Sequence, residues 1–363
     1  MARMNRRLFL KQTGAGTAAL AFRGAQVRGN DPANDFVLHN WKRESANPIF
    51  VPGKTYDFQG CQSPFVVRSD DRYWMYYGGI DKAGRQRVCL ATVPIARAAA
   101  GPSAWTRFGP VIELGGVGAF DELSTTYPTL HRFGDRWHLY YTGRSTFKSR
   151  QHFSNYRGIG LAVSRNLRDW KKVSSDPVLT GEGYPGFSEN RSIVGLGRIV
   201  ELPQSDGRLL YRLYHTLPPG LEGQDWHVIE DKYAVVAHSY DGIRWFDKRV
   251  VLARRREVPY EDVGVVGLQC WRTRTGSWRG IYTGLGTKYK SYSLCEVVST
   301  DGLAWHRGPT GQNLSLAPDG KGWEKDMIGY PGIDVTTGRI VLFYNGTGGG
   351  ATGIGMAVAE SVV

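Results

Sequence analysis

Aromatic and branched apolar residues cluster in short runs along this chain, and the runs come in a recurring order. Arg136-Trp-His-Leu-Tyr-Tyr-Thr-Gly143 has parallels in Tyr73-Trp-Met-Tyr-Tyr-Gly-Gly79, Trp278-Arg-Gly-Ile-Tyr-Thr-Gly284 and Ile340-Val-Leu-Phe-Tyr-Asn-Gly346. Another run precedes such a segment, as in Thr129-Leu-His-Arg-Phe133, and a third follows, as in Ile159-Gly-Leu-Ala-Val163. Runs of this length and composition, bounded by glycine, predict β-strands. A fourth carries tryptophan, and Asp241-Gly242 and Asp301-Gly302 stand just before two of these tryptophans as hairpin signals.

The period is long. Tryptophans at 41, 105, 170, 245 and 305 are spaced by 64, 65, 75 and 60 residues. A second marker is an aromatic–acid pair: Tyr56-Asp57, Phe120-Asp121, Tyr260-Glu261 and Trp323-Glu324, with Phe187-Ser188 as the deviant. Pro64, Pro128 and Pro331 each follow the aromatic by eight positions. Five units of four short strands predict an all-β, five-bladed β-propeller. The last unit stops at Met356-Ala-Val-Ala-Glu360 without its tryptophan strand, while a spare one, Trp41 to Phe50, lies at the other end. The amino-terminal strand is therefore expected to complete the fifth blade and close the ring. A two-sheet sandwich does not explain five matched units.

Composition narrows the class. Of 363 residues, 41% are hydrophobic and 22% charged, which excludes a disordered chain. No apolar run approaches the roughly 18–20 residues that span a bilayer. The net charge of +13 is partly a terminal effect, because residues 1–30 hold six basic side chains and no acid, leaving +7 for the rest. Those remaining cations are scattered apart from Arg254-Arg255-Arg256, so no nucleic-acid partner is expected, while a carbohydrate, including an acidic one, is compatible. Asn5-Arg6-Arg7-Leu8-Phe9-Leu10-Lys11, a Gly/Ala-rich stretch and Ala19-Leu20-Ala21 resemble a twin-arginine signal peptide over residues 1–30. That implies a folded propeller over 31–363, handed to the twin-arginine export machinery and working in the periplasm or outside the cell without a stable membrane anchor. Cys61, Cys89, Cys270 and Cys295 show no Cys-x-x-Cys or Cys/His cluster, so buried free thiols, no metal and no cofactor are expected.

The stretch Phe120-Asp-Glu-Leu-Ser-Thr-Thr-Tyr-Pro-Thr-Leu130, through Tyr140-Tyr-Thr-Gly143 and Gly158-Ile-Gly-Leu-Ala-Val163, to Trp170 and Asp176-Pro-Val-Leu179, is similar to a known pattern. It resembles the five-bladed propellers of the glycoside hydrolase superfamily that holds arabinanases, invertases, levansucrases and mannoside phosphorylases, over residues 41–360. The resemblance implies a glycosidase or glycoside phosphorylase whose carboxylates come from several blades around a central pocket. Arabinanase-type members place an aspartate before the first proline of a blade. This chain has Ser63-Pro64, Tyr127-Pro128 and Tyr330-Pro331 there. The invertase signature Asn-Asp-Pro-Asn-Gly is absent.

Antiparallel order brings the start of each first strand and the end of each second strand to one rim. Counting from the aromatics gives two acid columns there. The first holds Asp57, Asp121, Glu261 and Glu324, a repetition open to a structural or a catalytic role. The second holds Glu122, Glu189 and Asp262 only, the asymmetry a single site requires. Glycoside hydrolysis needs one protonated carboxyl and one ionised carboxylate. Glu189 is the expected acid, with Asp57 or Asp121 as its ionised partner and Glu122 and Asp262 in reserve. Asn190 and Arg191 beside it, His215, and Arg144 in the long second-unit loop with Lys148, Arg150 and His152 are expected to bind substrate or phosphate. Tyr127 and Tyr330 are placed to stack on sugar faces. Three functions follow as expectations: an exported glycoside hydrolase, a glycoside phosphorylase, or a non-catalytic glycan-binding propeller.

Overall fold

A computed structural model describes residues 36–145, 156–185, 193–218, 232–289, 291–309, 311–336 and 338–360. The expected signal peptide lies outside them. So do Glu189, Asn190 and Arg191.

The described chain is almost entirely β-structure, in sets of four antiparallel strands. A short strand β1 (Lys42–Arg43) comes first. The first set then contains β2 (Gly60–Ser69), β3 (Arg72–Ile80), β4 (Gln86–Pro94) and β5 (Thr106–Ile112). The second contains β6 (Ser124–Phe133), β7 (Arg136–Ser145), β8 (Tyr156–Ser164) and β9 (Lys171–Lys172). The third is β10 (Ile199–Pro203), β11 (Leu209–Leu217), β12 (Tyr233–Ser239) and β13 (Phe246–Leu252). Next come β14 (Gly264–Arg272), β15 (Trp278–Gly286), β16 (Ser291–Ser299) and β17 (Leu314–Leu316). The last contains β18 (Gly329–Thr336), β19 (Arg339–Asn345) and β20 (Ile354–Glu360), and β1 pairs with β20 as its fourth strand. The Asp241-Gly242 turn is a hairpin between β12 and β13, with Gly242 at φ 72°.

Neighbouring sets are tied by side chains at the end of each second strand. Thr142 Oγ1 accepts from Gly195 N–H at 2.8 Å, Thr216 Oγ1 from Gly267 N–H at 3.0 Å and Thr283 Oγ1 from Tyr330 N–H at 2.9 Å. Asn345 Oδ1 accepts from Ser63 N–H at 2.8 Å, which carries the last set onto the first. Between the first and second sets the corresponding residue is Gly78, and a parallel bridge joins Gln86 to Ser124 instead. A Cβ at Gly78 would sit 2.4 Å from Thr126 Oγ1, so only glycine fits there. The first strands bend at these contacts: Ser63, Tyr127 and Tyr330 have φ of 54°, 53° and 53° immediately before a proline.

Four of these sets also carry a buried latch. Asp57 accepts from Tyr77 Oη at 2.8 Å and from Arg107. Asp121 accepts from Tyr141 Oη at 2.9 Å and pairs with Lys172 Nζ at 2.6 Å. Glu261 holds Tyr282, Arg255 and, at 3.2 Å, Arg307. Glu324 bonds Tyr344 and pairs with Arg43 Nε at 2.6 Å. The cations Arg43, Arg107, Lys172 and Arg307 each stand two residues after a repeat tryptophan. In the third set Ser188, His215 and Asp247 occupy the three latch positions.

The amino-terminal segment is fixed by Glu296, which is buried on β16. It accepts from His39 Nδ1 at 2.7 Å, His39 N–H at 3.2 Å and Trp41 Nε1 at 3.1 Å. Burial pushes this carboxyl up, but the bonds from His39, Ser315 and Trp41 outweigh it and hold it below its ordinary 4.5. A lowered carboxyl pKa adds stability that is complete above 4.5 and disappears as pH falls through the folded-state value. Chemical denaturation of Glu296→Gln against the parent should therefore show a deficit near neutrality that shrinks in acid. His39→Ala, which removes one partner of a buried pair, should cost about 3–5 kcal/mol.

Candidate functional site

Polar side chains gather where the first strands begin and the second strands finish, a region called the mouth below. Gln62, Ser63 and Thr126 come from the first strands, and Arg144 and Asn345 from the second. Gln62 Nε2 donates to Gln86 Oε1 at 3.2 Å. Ser63 Oγ, Thr126 Oγ1, Asn345 Nδ2 and Arg144 Nε are buried and have no hydrogen-bond partner. Buried polar atoms are almost always satisfied, so a group of orphans around one opening marks a place for a hydrogen-bonding ligand. The turn Thr347–Gly350 overhangs the same region, with Gly348 and Gly349 at φ 69° and 66°.

Below the mouth the axis is filled. Tyr127, Val194, Leu196, Val266, Tyr292, Met327 and Tyr330 form one buried apolar cluster drawn from four sets. The rings of Tyr127 and Tyr330 meet edge to face with centroids 6.0 Å apart. These tyrosines thus form a floor, packed on each other, in place of the open stacking faces expected from sequence. Lys232 is fully buried against this floor and donates from Nζ to Tyr292 Oη at 3.1 Å. Sequence reasoning missed Lys232 and Tyr292, since neither lies in a repeated column. Gln62 and Thr126 were legible as polar residues two places before the repeat prolines.

The acids divide cleanly. Asp57 and Asp121 are 3% and 2% exposed and are turned into their sheets, each held by a tyrosine and a cation. That is the setting of a structural ion pair: Asp121 Oδ2 takes both its tyrosine and its lysine, and Asp57 takes Tyr77 and Arg107 at Oδ2 and the Gly53 N–H at Oδ1. The catalytic partner role expected for them does not fit this geometry. Of the second column, Glu122 and Asp262 lie among the described residues. Glu122 Oε2 accepts from Gly118 N–H at 2.7 Å, and Asp262 accepts from Thr287 N–H at 2.8 Å and Thr287 Oγ1 at 2.6 Å. Both are partly exposed.

His215 also corrects an expectation. It stands in the column of Tyr77, Tyr141, Tyr282 and Tyr344, is fully buried, and contacts Tyr184 Oη through Nε2. Burial, helped by Lys248, pushes its pKa down to about 3, so it is a neutral packing residue and not a phosphate ligand. Thiol chemistry is equally remote, since burial pushes Cys89 and Cys270 up to about 12 and Cys61 and Cys295 higher still. Among the described residues no group of three or more His, Cys, Asp or Glu is arranged to hold a metal ion.

No known family profile matches the chain. Two uncharacterized proteins of Mycobacterium tuberculosis are each 27% identical to it, over 319 and 323 residues, covering 86% of this chain and 97% of theirs. Solved structures resemble it more informatively. A putative glycoside hydrolase of Bacteroides ovatus superimposes with a TM-score of 0.65 over 91% of this chain and 98% of its own, at 16% identity. A protein of the GH130 family of mannoside phosphorylases, which contains glycoside hydrolases that target β-1,2 mannosidic linkages in Candida mannan, gives 0.63 over 90% and 95%, at 16% identity. A thermostable family-43 glycoside hydrolase gives 0.59 over 86% and 91%, again at 16% identity. The chain shares the fold of these solved structures.

The latch assignment has a direct test. Asp121→Asn should lower unfolding stability by about 1–3 kcal/mol by leaving Lys172 without its counter-charge. Adding Lys172→Met should recover part of that loss in a double-mutant cycle. Activity on any glycan substrate should survive both changes, whereas a catalytic carboxylate would abolish it.

Proposed function

We propose that this protein is an exported glycan-acting enzyme, a glycoside hydrolase, built as a closed five-bladed propeller. The observation that carries the reading is the set of partnerless buried donors and acceptors at the mouth. A hydroxyl-rich ligand supplies both kinds of partner at once, which suits a sugar better than an apolar molecule. The fold shared with glycoside hydrolases supports the same class, and the cycle of bonds linking the strand sets supports the closed ring. Among the described residues no helix is long and apolar enough to cross a membrane, which is compatible with export on the twin-arginine signal.

In this reading Glu189 protonates the leaving oxygen. With Asp57 and Asp121 committed to latches, Glu122 and Asp262 are the carboxylates left to act as base or nucleophile. Arg191 and Asn190 orient the sugar beside the acid, with Gln62, Thr126 and Arg144 holding its hydroxyls across the mouth. Lys232 and Tyr292 form the polar part of the floor.

The test incubates the chain from residue 31 with an oligosaccharide and aryl-glycoside panel, with and without phosphate, and identifies products by mass. Products without phosphate, lost in Glu189→Gln, are expected. Products only with phosphate would replace hydrolysis by phosphorolysis, and saturable binding without product would make this a binding propeller. Thr126→Val removes a partnerless hydroxyl, so thermal stability should hold or rise. Glycan affinity should fall about three- to tenfold, the worth of one neutral hydrogen bond.

A further inference from the structure

The opposite end of the axis carries a second cavity, of about 360 Å³. It is lined by His131 of β6, Arg198 and Glu201 at β10, Trp271 and Arg272 at the end of β14, and Trp278 at the start of β15. Thr126 and Val266, at the level of the mouth and floor, lie five and six residues earlier on β6 and β14. That places the two openings roughly 15–20 Å apart along the strands.

Two guanidinium groups here make no close ion pair with a carboxylate of the described residues. Arg198 donates from Nη1 to the Ile333 carbonyl at 3.3 Å, and no carboxylate of the described residues lies at ion-pair distance. The nearest acid, Asp334, is held by Tyr73 Oη at 2.8 Å and faces Arg68 at 3.8 Å. Arg272 donates from Nε to the Gly276 carbonyl at 3.1 Å and lies over the Trp278 ring, 5.9 Å from its centre. The one acid lining the cavity, Glu201, pairs with His131 Nε2 at 3.1 Å. Arg272 is exposed and available to a ligand, while Arg198 is partly buried, where a cation without a close anion is costly and an incoming anion offsets that cost. Burial lowers the pKa of Arg198, in keeping with that cost.

We propose that this cavity binds a sugar acid or a similar polyhydroxy carboxylate, separately from the polar mouth. The carboxylate meets Arg198 and Arg272, the ring lies along the tryptophan wall, and Glu201 and His131 take hydroxyls. A bare oxyanion would satisfy the arginines but would meet the Glu201 carboxylate with nothing to donate to it.

The test is thermal unfolding and calorimetry of the full chain with glucuronate, glucose and inorganic phosphate. Glucuronate should raise Tm saturably and glucose should not. Arg272→Gln, an exposed position that leaves the core untouched, should weaken glucuronate binding by about tenfold or more. Arg198→Met should abolish binding while keeping an unliganded Tm at or above that of the parent. No effect of glucuronate, or an effect that survives in both variants, would overturn the proposal. Stabilisation by phosphate but not glucuronate would overturn the sugar-acid assignment.

Discussion

A buried carboxylate clasped by one tyrosine and one cation is the interaction on which this molecule rests. It occurs with Asp57, Asp121, Glu261 and Glu324, and each time it ties the turn before a first strand to the second strand and to the segment after the repeat tryptophan. Three segments far apart in sequence are thereby fixed in one register. Desolvating such a group is tolerable only when every member is present, because a lone buried charge costs several kcal/mol. The third set follows that rule. Serine replaces the acid, histidine the tyrosine and aspartate the cation, so the whole latch is lost together and no charge is stranded.

A second constraint acts across the sets. Ser63, Tyr127 and Tyr330 adopt left-handed backbone before proline, a conformation that costs non-glycine residues about 1–2 kcal/mol. The N–H groups of Ser63 and Tyr330 are received by Asn345 and Thr283 of the preceding set, which offsets part of that cost. The bend packs Tyr127 and Tyr330 together at the axis. That contact divides the axis into two compartments with different chemistry. One carries orphaned hydroxyl and amide groups beside Arg144, and the other carries two arginines against a tryptophan wall.

Strand order, the four-strand period and the pairing of the amino-terminal strand with the last one were legible because periodic markers repeat at every unit. Trp41 and Met356 each sit in an incomplete set, which already pointed to one another. The fate of the acids was less legible. An aromatic–acid pair recurs whether its side chain points into the sheet or toward a ligand, and spacing alone does not give direction. The deciding signal was nevertheless in the sequence: Arg43, Arg107, Lys172 and Arg307 follow their tryptophans at a constant offset. His215 was misread for the converse reason, since a histidine at a rim invites a ligand role until its column is seen to be tyrosine elsewhere. Lys232 carried no signal, because the residue at its place differs from set to set, being Gln86 in the first and Tyr292 in the fourth.

A series of near-identical units offers no unit distinguished from the others, so the breaks in the repeat are what set one unit apart. The third unit breaks it most. It lacks the latch, lacks the proline after its aromatic, and reaches the axis through Gly195, Leu196 and Gly197, where a Cβ on Gly197 would lie 1.7 Å from the Tyr214 carbonyl oxygen. Lys232 follows a loop of the same unit, and Glu189 precedes its first strand. Cation–acid latches are retained in four of the sets, so the register of those sets is fixed by buried charge, and the third set depends on packing instead.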